Sequence, residues 1–342
     1  MKPLVIGVAG TAKNTGKTTT TKAVMDQVKK DTTRILGLTS IGYDGEEIDN
    51  VTGLPKPRIE VWPGVLAAVA EKCIHAGSAK MEILEKTHIS TPLGKVVLVR
   101  ITHGGQLLVA GPNKSRELRQ VVDLLKNYGA NFIIVDGALN RIAPMVEVDG
   151  LILATGAART PDINQLALET RNIVETLQLP IIQTEENTAA MDCVFDIASA
   201  DKLLENLKKR DKVFINGIIS TSYFDYLSAK DSLIKDKHLV FSDPIKLLVC
   251  GEISTISKIL FKLKEKGLHI GVKKSIQIIA ITVNPYYPQF RFTSDDYTEA
   301  FVDKELLYSE IAKNIDVPVY DVVKEGGAGI YQDILNYAKV EV

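Results

Sequence analysis

Residues 5–20 read VIGVAGTAKNTGKTTT: an apolar run, a glycine-rich turn, and then Gly16-Lys17-Thr18 opening a polar helix. A buried strand that ends in small residues and restarts as a helix gathers loop N–H groups and a helix N-terminus at one point. That point is a ready cradle for phosphate. In such a cradle Lys17 reaches the β- and γ-phosphates and the Thr18 hydroxyl ligates Mg2+. The candidate nucleotide-binding residues are therefore Gly10, Thr11, Asn14, Thr15, Gly16, Lys17, Thr18 and Thr19. The widespread form of this loop has glycine, four residues, then Gly-Lys-Ser/Thr. Here Thr11 holds the first glycine's place and Gly10 lies one residue earlier.

The remaining chain alternates strand and helix patterns, which argues for an α/β fold with a doubly wound, mostly parallel sheet and the phosphate loop at its edge. Helical periodicity runs from Thr18 to about Lys30, with Ala23, Val24 and Val28 inward. ILGLTS (35–40), NFIIVDG (131–137) and GLILATG (150–156) read as strands, the last two as buried parallel ones. Ser115–Tyr128 is an amphipathic helix with Leu118, Val121, Val122 and Leu125 on one face and Ser115 as its cap. Asn164–Leu177 is a further helix, and Pro180 begins another strand. IEVWPG reads as a short strand, and the Ala-rich stretch from Gly64 to about Ala76 as a helix. KVVLVRI (95–101) and QLLVAG (106–111) flank His103-Gly104-Gly105 as a hairpin. In the second half, 212–220, 239–243, 245–251 and 276–284 are strand candidates, and 254–266 and 294–307 helix candidates.

A length of 342 residues suits two domains. The change from the charged helix DKLLENLKKRD to strands places the boundary near 200–211. This gives a P-loop domain over 1–205 and a smaller α/β domain, for partner or substrate, over 206–342. A net charge of −1 gives no electrostatic case for nucleic acid or an anionic membrane. No apolar run approaches the roughly 18–20 residues of a membrane span. Cys73, Cys193 and Cys250 lack metal-ligand spacing and fit a reducing cytosol. The N-terminus enters the phosphate loop at once, unlike a signal peptide. A cytoplasmic location follows as the expectation.

Asp136 ends the apolar strand FIIV, where a P-loop enzyme holds Mg2+ or its water shell. With Lys17 it forms the candidate catalytic pair, and Gly137 lets phosphate or backbone approach closely. The polar loop 39–50 follows the second strand, at the sheet edge where ligands bind in open α/β folds. Asp44 is its first choice to join Thr18 and Asp136 as a metal ligand; a solvated acidic loop is the alternative. Arg141 could meet phosphate or a carboxylate. Gly156, Arg159 and Thr160 line the same edge, and Asn216 or Asn284 could read a base. His103 needs no chemistry to explain it. Cys250, in LLVCGEIS, lacks the small residues that flank a nucleophile on a strand–helix elbow, and reads as inert.

The string Gly10-Thr11-x-x-x-x-Gly16-Lys17-Thr18 resembles dethiobiotin synthetase and the cobyric and cobyrinic acid amide synthases. These belong to a P-loop superfamily that also holds the ParA/MinD partitioning ATPases. The partitioning branch carries a further lysine where Ala12 stands; Lys13 is one place off and reads as a surface lysine. More narrowly, LTSIGYDGEEIDNVTGLPKPRIEV (38–61), IIVDGALNR (133–141) and DGLILATGA (149–157) resemble the ATPase subunit of the reactivase for lysine 5,6-aminomutase. That mutase is an adenosylcobalamin- and pyridoxal-phosphate-dependent enzyme of lysine fermentation. The resemblance implies an ATP hydrolase that uses ATP and Mg2+ to eject damaged cobalamin. Its partners would be a second reactivase subunit on another chain and the aminomutase itself; a homodimer is left open. The rival resemblance, to the synthetases, implies a ligase that activates a carboxylate or carbamate. Its substrate anchor would lie near Lys17, at Lys56 or Arg58.

Overall fold

The structure is a computed structural model that describes residues 2–44, 59–138, 143–186, 188–292 and 295–340. The larger unit is built on a nine-stranded sheet. Its strands are β1 (Leu4–Gly10), β2 (Leu36–Ser40), β3 (Leu66–Ala70), β4 (Lys80–Thr91), β5 (Gly94–His103), β6 (Phe132–Ala138), β7 (Gly150–Gly156), β8 (Ile278–Asn284) and β9 (Val319–Tyr320). They lie in the order β9-β8-β7-β1-β6-β2-β3-β5-β4. All pairings from β9 to β3 are parallel; β3–β5 and β5–β4 are antiparallel. Every residue of β1, β2 and β7 is buried, because helices cover both faces of such a sheet. Helix α1 (Lys17–Lys30) buries Thr20, Thr21, Val24, Met25 and Val28, and α2 (Ser115–Asn127) buries the four residues that its periodicity selects. The fold class expected from the sequence is the one observed.

Five local readings change. The stretch from Gly64 to Ala76 holds strand β3 and a short 3-10 turn at Glu71–Cys73 in place of a helix. Its run LAAVA is buried at every position, and an apolar run buried on both faces looks alike as strand or helix. Residues 95–101 do form a strand, but its hairpin partner is β4. The segments after it, Gly105–Leu107 and Val109–Ala110, pair instead with Ile59–Val61 and Tyr43–Asp44. Residues 245–251 begin with a helical turn, Ile245–Leu248, and 294–307 contains strand Asp296–Phe301 before helix Lys304–Ala312. Ser115 is the first helical residue; Lys114 occupies the cap position and makes no side-chain cap bond.

The division into units also differs from the sequence reading. One unit comprises Met1–Ala167 with Ile278–Val342, the other Leu168–Gln277. The second unit is thus inserted, where the sequence suggested consecutive domains over 1–205 and 206–342. The cause is β8, which follows the insertion in sequence yet pairs with β7. The composition change near 200–211 marks the end of helix Ile197–Lys209, inside the second unit. That unit has its own four-stranded parallel sheet, Ala189–Met191, Lys212–Ile215, His238–Phe241 and His269–Val272 in chain order. Leu203, Leu207, Phe224, Phe241, Ile256 and Leu263 centre its core. Among the described residues, no helix is long and apolar enough to cross a membrane.

Candidate functional site: the loop after the first strand

Strand β1 runs between β6 and β7, and its last residue, Gly10, pairs with Ala138 on one side and Ala154 on the other. The loop 11–16 therefore leaves from the middle of the sheet, at the carboxyl edge where ligands of doubly wound folds bind. Thr11 fastens its start: its N–H donates to the Ala154 carbonyl at 2.8 Å, and its hydroxyl donates to that of Thr155 at 3.2 Å. The Arg159 guanidinium donates to the Thr11 carbonyl at 3.0 Å. The Thr15 hydroxyl closes back on the Ala12 carbonyl at 3.0 Å.

Two residues of the loop are left-handed, Asn14 at φ 62° and Gly16 at φ 88°. Asparagine tolerates this region through its short polar side chain. At Gly16 only glycine avoids both strain and crowding, since a Cβ would stand 3.1 Å from the Asn284 Cβ. Gly16 then caps α1 with no side-chain bond, and the helix's first turn holds no acid. The positive end of the helix dipole faces the loop with no carboxylate of its own first turn, an arrangement that favours a bound anion. The Thr20 N–H donates to the Gly16 carbonyl at 2.9 Å and closes the first helical turn.

Lys17 and Asp136 meet here. The Lys17 ammonium lies 3.2 Å from Asp136 Oδ2, and their side chains are 11% and 6% exposed. Asp136 is placed by β6, in register with Val8 on β1 and Ser40 on β2. Two residues 119 apart in sequence thus share one sheltered spot at the loop's mouth. Of the metal candidates, Thr18 and Asp136 offer a hydroxyl and a carboxylate. Oxygen donors in that number suit Mg2+, which keeps several waters and takes one or two carboxylates. The third, the Asp44 carboxylate, lies outside the described residues, as do Glu46, Glu47, Asp49, Lys56, Arg58, Asn140 and Arg141.

Other candidates take structural roles. The Thr39 hydroxyl donates to the Ala68 carbonyl, and the Ser40 hydroxyl to those of Gly42 and Val109. His103 is exposed at the end of β5. Gly156 lets β8 pass, since a Cβ there would stand 2.4 Å from the Asn284 carbonyl oxygen. Asn216 belongs to the inserted unit, where its N–H donates to Met191. Burial pushes the Cys250 thiol up to about 11, which removes the thiolate a nucleophile needs. Lys13 is exposed. The sequence reading missed the support that β8 gives the loop. Asn284 donates from Nδ2 to the Asn14 carbonyl at 2.9 Å, and the Thr282 and Thr20 hydroxyls share a buried 2.7 Å bond.

No family model and no curated protein matches the chain. Among solved structures it is similar to the MinC:MinD cell division protein complex of Aquifex aeolicus, at 13% identity over 98% of this chain and 94% of that one, with a TM-score of 0.27. A ParA family ATPase from Chlorobium tepidum TLS is 11% identical over 98% of both chains, with a TM-score of 0.28. pNOB8 ParA bound to nonspecific DNA is 12% identical over 77% of this chain and 98% of that one, also at 0.28. The fold assignment stands on the strand order and register given above.

Proposed function

We propose that the chain is a Mg2+-dependent P-loop ATP hydrolase. The observation that carries this reading is the sheltered Lys17–Asp136 pair, at the mouth of a strand–loop–helix turn whose helix end favours an anion. The loop's N–H groups and the helix N-terminus bind the triphosphate, and Lys17 neutralises charge on its β- and γ-oxygens. Thr18 and Asp136 would hold Mg2+ through a hydroxyl and a carboxylate, and the bound ion would supply charge stabilisation to the phosphoryl oxygens. Asp44 is proposed as a further acid toward the metal. The partner of the reaction is water, and the products are the diphosphate and phosphate.

The finer reading is the ATPase subunit of a reactivase that exchanges damaged cobalamin on an adenosylcobalamin-dependent aminomutase. It is supported by the resemblance of 38–61, 133–141 and 149–157 to that family. A nucleotide that drives such exchange must favour one state of the mutase complex over another. Two experiments test the two levels. Mg-ATP at a hundredfold its Kd should stabilise the wild-type chain by about 2.7 kcal/mol, and Lys17→Ala should lose that gain. Unchanged stabilisation in Lys17→Ala would refute the site. For the finer reading, mutase inactivated by turnover is mixed with this chain, the second subunit, fresh adenosylcobalamin and Mg-ATP. Recovery of mutase activity that needs ATP and Lys17 is the expected result. No recovery, together with ATP-dependent joining of a small amine or acid, would move the assignment to a ligase.

A further inference from the structure

We infer that Asn284 is the positioning residue of the phosphate loop, holding its peptide groups in the orientation that an anion requires. The inference rests on the nucleotide reading above and names a residue on which that site depends. Asn284 ends β8 and is separated from Asn14 by 270 residues, yet its Nδ2 donates to the Asn14 carbonyl at 2.9 Å. Its Oδ1 accepts from the Tyr286 N–H at 3.3 Å, which fixes the amide's orientation. The side chain stands in a slot walled by Gly16 and Gly156, where added Cβ atoms would come within 3.1 and 2.9 Å of the Asn284 Cβ.

The consequence follows from the peptide plane. In a trans peptide the C=O of one residue and the N–H of the next point opposite ways. Drawing the Asn14 carbonyl toward β8 therefore turns the Thr15 N–H away from β8. Arg159 does the same at the loop's start, where it draws the Thr11 carbonyl and so directs the Ala12 N–H. Rotation of the 14–15 peptide would exchange donor for acceptor and present a carbonyl oxygen to the ligand. Asn14 already occupies the left-handed region at φ 62°, so an anchor on its carbonyl opposes relaxation to commoner backbone. Asn284 touches neither phosphate nor metal in this scheme; it acts through the loop. A residue that reads the base would behave differently, because its loss would change the preference among bases.

The test compares wild type with Asn284→Ala and Asn284→Asp. The aspartate keeps the size and the acceptor for Tyr286 but loses the donor to Asn14. Without nucleotide, both variants should show faster amide hydrogen exchange across Thr11–Thr20, where the Thr11 and Thr20 N–H bonds report, with exchange in β6 and β7 unchanged. With Mg2+, Asn284→Ala should weaken ATP and GTP by the same factor, about tenfold, the worth of one lost hydrogen bond. Unchanged exchange across Thr11–Thr20 in both variants overturns the inference, and so does a shift in the ATP-to-GTP ratio. Faster exchange throughout the sheet also overturns it, since that marks a general structural role. Faster loop exchange in a chain whose wild type binds no nucleotide supports the brace and overturns the nucleotide reading instead.

Discussion

Removing the Lys17 ammonium while leaving the Asp136 carboxylate should be the most costly single change at the site. Lys17→Met keeps the length and deletes the charge. It removes the cation that stood 3.2 Å from an acid that is 5% exposed. Removing one member of a buried pair costs about 3–5 kcal/mol, and the positive end of α1 returns roughly 0.3–1 of it, so about 3 kcal/mol remains. Asp136→Asn leaves Lys17 an amide oxygen and should cost about 1.5–2 kcal/mol, the scale of a charged hydrogen bond. The double variant buries neither charge and should cost no more than Lys17→Met alone, a coupling of about 2 kcal/mol. Thermal unfolding without nucleotide or Mg2+ reads this directly. At about 2–4 °C per kcal/mol, Lys17→Met should lower the midpoint by roughly 6–12 °C. If the two single costs simply add in the double variant, within about 0.5 kcal/mol, the pair is not coupled and its placement at the heart of the site is wrong.

Three further outcomes follow from neighbouring features. Thr282→Val strands the buried Thr20 hydroxyl and should cost about 1–3 kcal/mol, whereas Thr20→Val with Thr282→Val should come close to neutral; urea midpoints of the three variants test this. In the inserted unit, burial and then the stacked His269 ring, 4.8 Å away, hold the His238 imidazole below its ordinary range. A lowered folded value means that the stabilising contribution is complete above the unfolded value of about 6.5 and is lost as pH falls from there through the folded value. His238→Phe should flatten that loss below about pH 6.5 in urea titrations, and an unchanged slope would assign the acid sensitivity elsewhere. Cys250, held near 11, should react with a disulfide reagent at pH 8 far more slowly than a free thiol; reaction at the free-thiol rate contradicts its burial.

The strand–loop–helix turn was legible because each of its signals is local: the VIGV run, the glycines and Gly16-Lys17-Thr18 all fall within 5–18. Asp136 was legible for the same reason, as a carboxylate ending an apolar strand. Helices α1 and α2 carried clear periodicity. Strand β3 was hidden because LAAVA has no alternation to show when both faces are buried. Strand β4 was hidden because its mixed charges, KMEILEKTHIST, suit an exposed sheet edge and resemble a loop. The inserted unit escaped detection because nothing near Ala167 or Ile278 announces that β8 returns to β7. Asn284 was visible as an asparagine ending a strand, but its partner on the loop depends on a pairing that only the folded sheet reveals.

The inserted unit also sets the order in which a growing chain can assemble the loop after β1 with its supports. Thr20 and Asn14 are made early, and their partners Thr282 and Asn284 follow 262 and 270 residues later. At roughly 5–20 residues per second, that gap lasts tens of seconds on the ribosome. During it β1, β2, β6 and β7 can already pair, while β7 carries an open edge and the loop lacks its anchor. A nascent chain halted before residue 282 contains every residue of the phosphate loop and neither of the β8 side chains, Thr282 and Asn284, that brace it. The loop therefore gains its full bracing only after synthesis has passed the insertion and β8 has closed onto β7.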